Sequence, residues 1–310
     1  MKTIMVRGLD RPLPVLTLGT MNMSPQNSGE SNALLDGYYS TGGNALDTAH
    51  VYGGGNSEKA VGSWIRSRKI RDKVTVITKG CHPKGDGMPR VNPDAIRADL
   101  AESLDRLDTD YIDLYLLHRD DPRVDAASII GALNREVDAG NIRAFGASNW
   151  TTSRIIEANR YATGRGLRGF CLSSIHLSLA EPGEQIWPGC LNMDGEAREF
   201  FEGGLMPLLA WSAQARGFFS DKYRDGSGLP GELSRVYGAP GNLARAARAR
   251  ELAARTGSTA NRVSLAWVLA RRYPVSAVIG PRNNSQLEDS LAVLDEAPLS
   301  AETCRWLEDG

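Results

Sequence analysis

Cysteine is scarce in this chain of 310 residues: Cys81, Cys171, Cys190 and Cys304 are widely scattered, and no two form a Cys-x-x-Cys pair. That excludes a disulfide framework and suits a reducing cytoplasm, the expected location. Histidine is equally sparse, and His50, His82, His118 and His176 show no metal-ligand spacing. No apolar run approaches the ~18 residues of a membrane span. The start of the chain, Met1-Lys-Thr-Ile-Met-Val-Arg-Gly-Leu-Asp10, lacks the apolar stretch of a secretory leader. Nor is there an excess of one charge: 36 Lys and Arg against 37 Asp and Glu leave a net charge of −1. No basic field exists to draw nucleic acid or an anionic membrane, so the expected partner is a small molecule. The oligomeric state stays open.

What is present is a regular alternation. Hydrophobic residues make up 41% and charged residues 24%, as in ordinary globular chains. Residues 3–19 read as a hairpin about the turn residues Gly8-Leu-Asp-Arg-Pro12, leading into a buried strand at 15–19. Strands are then expected at 44–48, 74–79, 111–117, 142–147, 170–175, 205–211 and 275–279. Helices are expected at 57–65, capped by Asn56 or Ser57, and at 92–107, 126–139, 151–162, 196–202, 242–255, 259–271 and 284–293. About eight strand-then-helix units argue for a parallel sheet, and in a chain of ~300 residues they fit a closed (β/α)8 TIM barrel with an N-terminal β-hairpin. No composition shift marks a boundary, so residues 1–310 are expected to form a single domain. Two long irregular stretches, 181–195 and 214–241, follow predicted strands and would hang over the C-terminal face, where barrel sites lie.

Four residues fit to handle a proton end short pieces of this pattern. They are Asp47 and Tyr52 in Ala45-Leu-Asp-Thr-Ala-His-Val-Tyr-Gly53, Lys79 in Val74-Thr-Val-Ile-Thr-Lys79, and His118 in Tyr111-Ile-Asp-Leu-Tyr-Leu-Leu-His118. Taken singly, each has an ordinary explanation as a turn former, a rim charge or a core-edge imidazole. Their joint position at successive strand ends sets them apart, because parallel neighbours would bring an acid, a phenol, an amine and an imidazole together on one face.

The chain here resembles the aldo-keto reductases. The match comprises Asp47-Thr-Ala-x-x-Tyr52-Gly53, Thr78-Lys79, Leu116-Leu-His118, Gly146-Ala-Ser148-Asn149 and Val278-Ile-Gly280, and it runs over essentially the whole chain. The resemblance implies an NADP(H)-dependent enzyme that reduces an aldehyde or ketone by hydride transfer, with Tyr52 as general acid–base. Lys79 would lower the phenol's pKa from its usual ~10, Asp47 would hold Lys79 charged and in place, and His118 would orient the substrate carbonyl. For the cofactor it implies Gly19, Thr20, Met21 and Asp47 at the first strand ends, and Ser148 and Asn149 on the carboxamide. Trp211 would stack on nicotinamide, Ser212, Ala213, Gln214 and Gly217 would form a pyrophosphate loop, and Gly280, Arg282, Asn283 and Gln286 would hold the adenosine end. Arg282 would suit a 2′-phosphate. The chain departs from the family at Ser174, where a Gln is usual, and at Asp289-Ser290, where Glu-Asn is usual.

Met21, Met23, Tyr52, His82, His118, Arg119, Asp120, Trp150, Trp187 and Phe218 are expected around the substrate. This mix suits a polar substrate with one apolar face, such as a sugar-like or secondary-metabolite ketone. Asp120-Asp121 reads as a solvated turn ahead of Pro122, or as a pair that binds hydroxyl or amine groups. Gly164-Arg-Gly-Leu-Arg-Gly169 spells a dinucleotide fingerprint but follows a helix and precedes a strand, so it is read as a loop. A second functional reading remains: a cofactor-binding, redox-sensing or regulatory protein of the same fold with little turnover.

Overall fold

The computed structural model describes residues 1–85, 87–223 and 228–310. The chain enters through an antiparallel hairpin of β1 (Thr3–Ile4) and β2 (Leu13–Pro14). Eight further strands follow: β3 (Leu16–Gly19), β4 (Ala45–Asp47), β5 (Thr75–Gly80), β6 (Ile112–Leu117), β7 (Ile142–Ser148), β8 (Ser173–Ser174), β9 (Leu208–Ala210) and β10 (Val275–Ile279). They close into a barrel in the order β10-β3-β4-β5-β6-β7-β8-β9. Every neighbouring pair is parallel. This is the (β/α)8 barrel with an N-terminal hairpin that the alternation predicts.

The alternation of side chains along the strands fixes the site. Ala45, Ile77, Leu114, Leu116, Ala144, Leu172 and Leu209 share one buried cluster in the barrel interior. Their neighbours Leu46, Val76, Tyr115, Leu117, Phe145 and Leu208 belong to the larger core beneath the helices. Because strand side chains repeat every two residues, positions two beyond an interior residue also face inward. Asp47 follows Ala45, Lys79 follows Ile77, and His118 follows Leu116. Ser174 and Trp211 follow Leu172 and Leu209, and Ser148 lies further along the strand of Ala144. Register levels these ends: Asp47 pairs with Gly19 and Ile77, Lys79 with Leu116, and Ser148 with Ser174. Val6 and Leu13 of the hairpin segment join the interior cluster and plug the opposite mouth.

The surrounding helices are α1 (Ser28–Ser40), α2 (Asn56–Arg68), α3 (Pro93–Leu107), α4 (Ala126–Asp138), α5 (Thr152–Gly164), α6 (Gly195–Glu202), α7 (Gly231–Tyr237), α8 (Pro240–Thr256), α9 (Ala260–Leu269), α10 (Asn284–Leu291) and α11 (Ala301–Asp309). Polar caps set many of their starts: the side chains of Asn92, Asp125, Thr151, Asp194, Thr259, Asn283 and Ser300 each accept a backbone N–H of the first turn. The start of α2 differs from expectation. Gly55 caps it with φ +92°, and Ser57 turns its hydroxyl inward to Thr20 and Thr48 instead.

Three helices were not expected from the sequence: α1, α7 and α11. Ser28-Gly-Glu-Ser-Asn32 and Gly37 give α1 little intrinsic helix propensity, and burial of Leu34, Leu35 and Tyr38 stabilises it instead. Strand β8 is shorter than expected because Phe170 gives both backbone groups to the Asn159 side chain. The stretch 181–195 is irregular, with a single parallel bridge from His176 to Asn192. The stretch 214–241 instead contains α7 and short 3₁₀ turns, and positions 224–227 within it lie outside the described residues. Among the described residues, no helix is long and apolar enough to cross a membrane, and no group of His, Cys, Asp or Glu could hold a metal ion. All four cysteines are buried free thiols.

Candidate active site

Lys79 is the node of the mouth. Its Nζ lies 2.7 Å from Asp47 Oδ1, donates to the Thr48 carbonyl at 2.9 Å and donates to the Tyr52 hydroxyl oxygen at 3.3 Å. Asp47 and Lys79 are 4% and 3% exposed, so this ion pair is screened by protein rather than water. Burial opposes the Lys79 charge, but Asp47 and Tyr52 together outweigh it and raise the ammonium pKa above the usual lysine value. Burial raises the Asp47 carboxyl, with Lys79 pulling it back.

Tyr52 leads into a tight loop that only glycine enters freely. Gly53, Gly54 and Gly55 all take positive φ, and a Cβ on Gly55 would sit 2.6 Å from the Arg106 guanidinium. Arg106 reaches the His50 carbonyl, Glu58 and Glu102, at 2.9, 3.2 and 2.7 Å. Glu58 also accepts from Thr78 at 2.6 Å. This network of Arg106, Glu58 and Thr78 bolts the Tyr52 loop to α2, α3 and β5, while Ser57 ties the start of α2 to Thr20 and Thr48. It was missed in the sequence because Ser57 and Glu58 look like ordinary first-turn helix residues.

Lys79 lowers the Tyr52 pKa, as the motif leads one to expect, but it does not set the net shift. Burial dominates instead, with Lys79 lowering and Asp47 raising, and the phenol ends above its ordinary value. The reason is that Lys79 does not act as a bare cation. Paired with Asp47 it presents a dipole, which stabilises a phenolate far less than a lone charge would. Tyr52 therefore stands protonated at neutral pH. Because Lys79 donates to the phenol oxygen, the phenolic proton is free to point elsewhere.

His118 is 7% exposed, and its ring meets Tyr52 and His82 edge-on at 5.7 and 4.9 Å. Burial, aided by the charges of Lys79 and Arg119, holds its pKa well below 6.5, so it is neutral. Its Nδ1 is buried without a partner. A neutral imidazole has one N–H, and no described protein group accepts it.

Polar atoms continue around the mouth. Asn149, at φ 59°, donates to the His118 carbonyl at 3.2 Å and to Ser148 Oγ at 3.0 Å. It accepts from Leu191 N of the 181–195 stretch at 3.1 Å. Ser174 Oγ and Trp211 Nε1 are buried without partners. Left-handed, non-glycine backbone recurs at Ser212, Ala215 and Arg216, strain of about 1 kcal/mol or more each that clusters at functional sites. Gln214 donates to Ser290 Oγ at 3.1 Å. Ser290 donates to the Gln286 carbonyl at 2.9 Å, and Gln286 Oε1 accepts from Arg282 N at 2.9 Å. Residues expected at the pyrophosphate and adenosine ends are thus joined in one chain of contacts. The Arg282 side chain is exposed beside the start of α10. Asp289 departs from expectation: its carboxylate is held by Arg262 at 2.8 Å and by Thr259 at 3.1 Å.

Comparison with known proteins decides the family. The aldo/keto reductase family model matches residues 15–309. The chain belongs to that family. It is 30% identical over 314 residues to a norsolorinic acid reductase of Emericella nidulans, covering 95% of this chain and 77% of the relative. It is 28% identical over 289 residues to an aryl-alcohol dehydrogenase of Pestalotiopsis microspora, covering 89% and 71%. A thermostable aldo-keto reductase crystallised with the inhibitor epalrestat superposes with a TM-score of 0.76 at 23% identity, covering 99% of each chain, a likeness of fold.

The expected substrate wall of this aldo-keto reductase divides in two. Met23, Trp150 and Phe218 are only 4%, 2% and 1% exposed and belong to the core between strands and helices. They follow strand ends but turn outward, so they support the site rather than face it. Trp150 packs on Phe170 at 5.0 Å and donates its indole N–H to the Arg119 carbonyl at 2.9 Å. Met21 is exposed, Thr20 is buried on Asp47 and Ser57, and His82 is half-buried beside His118. Trp187 lies between Arg216, at 5.1 Å, and Trp211, at 5.9 Å. Trp211 in turn meets His176 at 5.0 Å. Burial pushes His176 down to about 3, and its Nε2 lies 3.0 Å from the Tyr237 hydroxyl of α7.

The buried ion pair makes a stability prediction. Lys79→Met should destabilise the fold by about 3–5 kcal/mol, because it strands Asp47 without a counter-charge. Adding Asp47→Asn should recover part of that loss. Melting midpoints of the two single variants and the double variant measure the coupling, and strictly additive losses would show that the pair does not interact.

Proposed function

We propose that this aldo-keto reductase is an NADP(H)-dependent carbonyl reductase, or the reverse alcohol dehydrogenase, with Tyr52 as general acid–base. The observation that carries this reading is the placement of the Lys79 ammonium between Asp47, 2.7 Å away, and the Tyr52 hydroxyl, 3.3 Å away, with the free imidazole of His118 alongside. In the reductive direction Tyr52 donates its proton to the carbonyl oxygen, and His118, neutral, donates its N–H to the same oxygen and orients it. Lys79 steadies the phenolate left behind, and Asp47 keeps Lys79 charged and fixed. The raised phenol pKa supports the proton-donating, reductive role at neutral pH.

The residues present fit a nicotinamide dinucleotide. Ser174 Oγ and Trp211 Nε1 are buried and unpartnered, Ser148 retains a hydroxyl proton to donate, and Trp211 offers a flat face. Gln214, Ser290, Gln286 and Arg282 line a path towards the start of α10, where backbone N–H groups favour phosphate. Bound there, NADPH would supply the hydride. Arg282, exposed and without an acidic partner among the described residues, suits a 2′-phosphate. The exposed Met21, Val51 and Met88 lie in loops leaving β3, β4 and β5, at the end of the barrel where the strands finish. Together with the aryl-alcohol dehydrogenase among the relatives, they favour an aromatic aldehyde or ketone.

Tyr52→Phe should abolish NADPH-dependent reduction of a panel of aryl aldehydes and ketones while NADPH affinity stays within about threefold, the phenol acting on chemistry rather than binding. Unaltered turnover would remove Tyr52 from the mechanism. Tight NADPH binding without turnover of any carbonyl by the unaltered protein would favour the redox-sensing role. Arg282→Ala should weaken NADPH about tenfold or more and NADH far less, as loss of a charge-assisted contact requires. Equal losses in fluorescence titrations would place the 2′-phosphate elsewhere.

A further inference from the structure

Resting on the assignment of Tyr52 and His118 as the carbonyl-reducing pair, we propose that Arg119 anchors an oxyanion on the substrate, a carboxylate or an ionised phenol on the same molecule as the reacting carbonyl. Arg119 follows His118 directly and is only 6% exposed, yet no carboxylate among the described residues pairs with it. Its Nη1 donates to the His118 carbonyl at 2.8 Å and its Nε to the Pro188 carbonyl at 3.1 Å. A guanidinium has five N–H donors, so these two contacts leave most of its binding capacity unused. Its Nη2 has no acceptor among the described residues and is not one of the buried atoms without a partner, so it keeps an opening to solvent.

The neighbouring acids do not neutralise it. Asp120 is taken by Arg154 at 3.5 Å, and Asp121 by Arg123 at 2.8 Å. Both carboxylates of that acid pair are thus engaged within the protein. The other titratable groups at the mouth cancel or are uncharged: Lys79 pairs with Asp47, Tyr52 holds its proton, and burial holds His118 and His82 low. Among the described residues, Arg119 is therefore the uncompensated charge of the site. Leaving a buried cation unpaired is costly, and an open guanidinium N–H donates a charge-assisted hydrogen bond to a carboxylate or phenolate oxygen.

The 181–195 stretch fixes its aim. A Cβ on Gly189 would lie 3.2 Å from Arg119 Cδ, and Pro188 binds its Nε, so the side chain is clamped along its stem. An oxyanion at Nη2 would tether the substrate beside His118. Met21, Val51 and Met88 would cover the apolar body.

The test compares 3- and 4-carboxybenzaldehyde with the neutral 3- and 4-formylbenzamides, using NADPH and the full-length protein. The unaltered protein should favour at least one acid over its amide by about tenfold or more in kcat/KM, through KM, the scale of a hydrogen bond to a charged group. In Arg119→Gln that acid should lose about tenfold more than its amide, and Arg119→Lys should keep part of the preference. No preference in the unaltered protein would overturn the proposal. So would equal loss for acid and amide in Arg119→Gln, which is the result of a purely structural role. If neither acid nor amide turns over, the reductase reading fails separately, and tryptophan quenching by benzoate and benzamide on NADPH-loaded protein decides. Tighter benzoate binding that Arg119→Gln abolishes keeps the anchor; equal binding rejects it.

Discussion

One ammonium shared between a carboxylate and a phenol governs the mouth of this barrel. Lys79 cannot stay charged in a buried setting unless Asp47 stands beside it, and Asp47 cannot stay there without Lys79. Together they are net neutral, and that neutrality sets the state of the phenol. Tyr52 gains a donor to its oxygen without gaining the full field of a cation, so it keeps its proton until one is called for. Strand β4 supplies the acid, strand β5 the amine and the glycine loop after β4 the phenol. The interaction therefore depends on closure of the barrel with β4 and β5 in register.

The rest of the site is arranged around that neutral centre. His118 stays uncharged because burial and two nearby cations disfavour a further positive charge. Around the mouth, unsatisfied polar atoms at Ser174 and Trp211 mark where a ligand would complete the hydrogen bonding. Two irregular stretches meet over Trp211 through Trp187 and Arg216, and α7 reaches the same layer through Tyr237 and His176. With Lys79 cancelled, the charge of Arg119 stands out, and the proposed preference for an anionic substrate rests on that one side chain.

Much of this was legible in the sequence because it is local. Ala45-Leu-Asp47, Ile77-Thr-Lys79 and Leu116-Leu-His118 each carry an interior apolar residue and a polar one two positions later, so strand alternation alone brings the polar ends together. What was not legible depends on packing across the chain. Met23, Trp150 and Phe218 follow strand ends as the true mouth residues do, yet rotate into the layer under the helices. The buried ties of Ser57, Glu58 and Arg106 join residues from separate helices. Helix α1 has a polar, glycine-bearing sequence and depends on three buried side chains rather than on propensity. The net direction of the Tyr52 shift is not legible, because nearness to Lys79 is visible in the motif, whereas the depth of burial and the opposing acid are properties of the fold.

The central claim is most directly tested by ultraviolet difference titration of Tyr52, comparing tyrosinate absorbance of the unaltered protein with that of Tyr52→Phe. The ionisation that disappears in the variant should lie above the ~10 of an unperturbed tyrosine, because burial outweighs a lysine already paired with an acid. An ionisation below that value would mean that Lys79 acts as an unshielded cation, and the shared-ammonium account would be wrong.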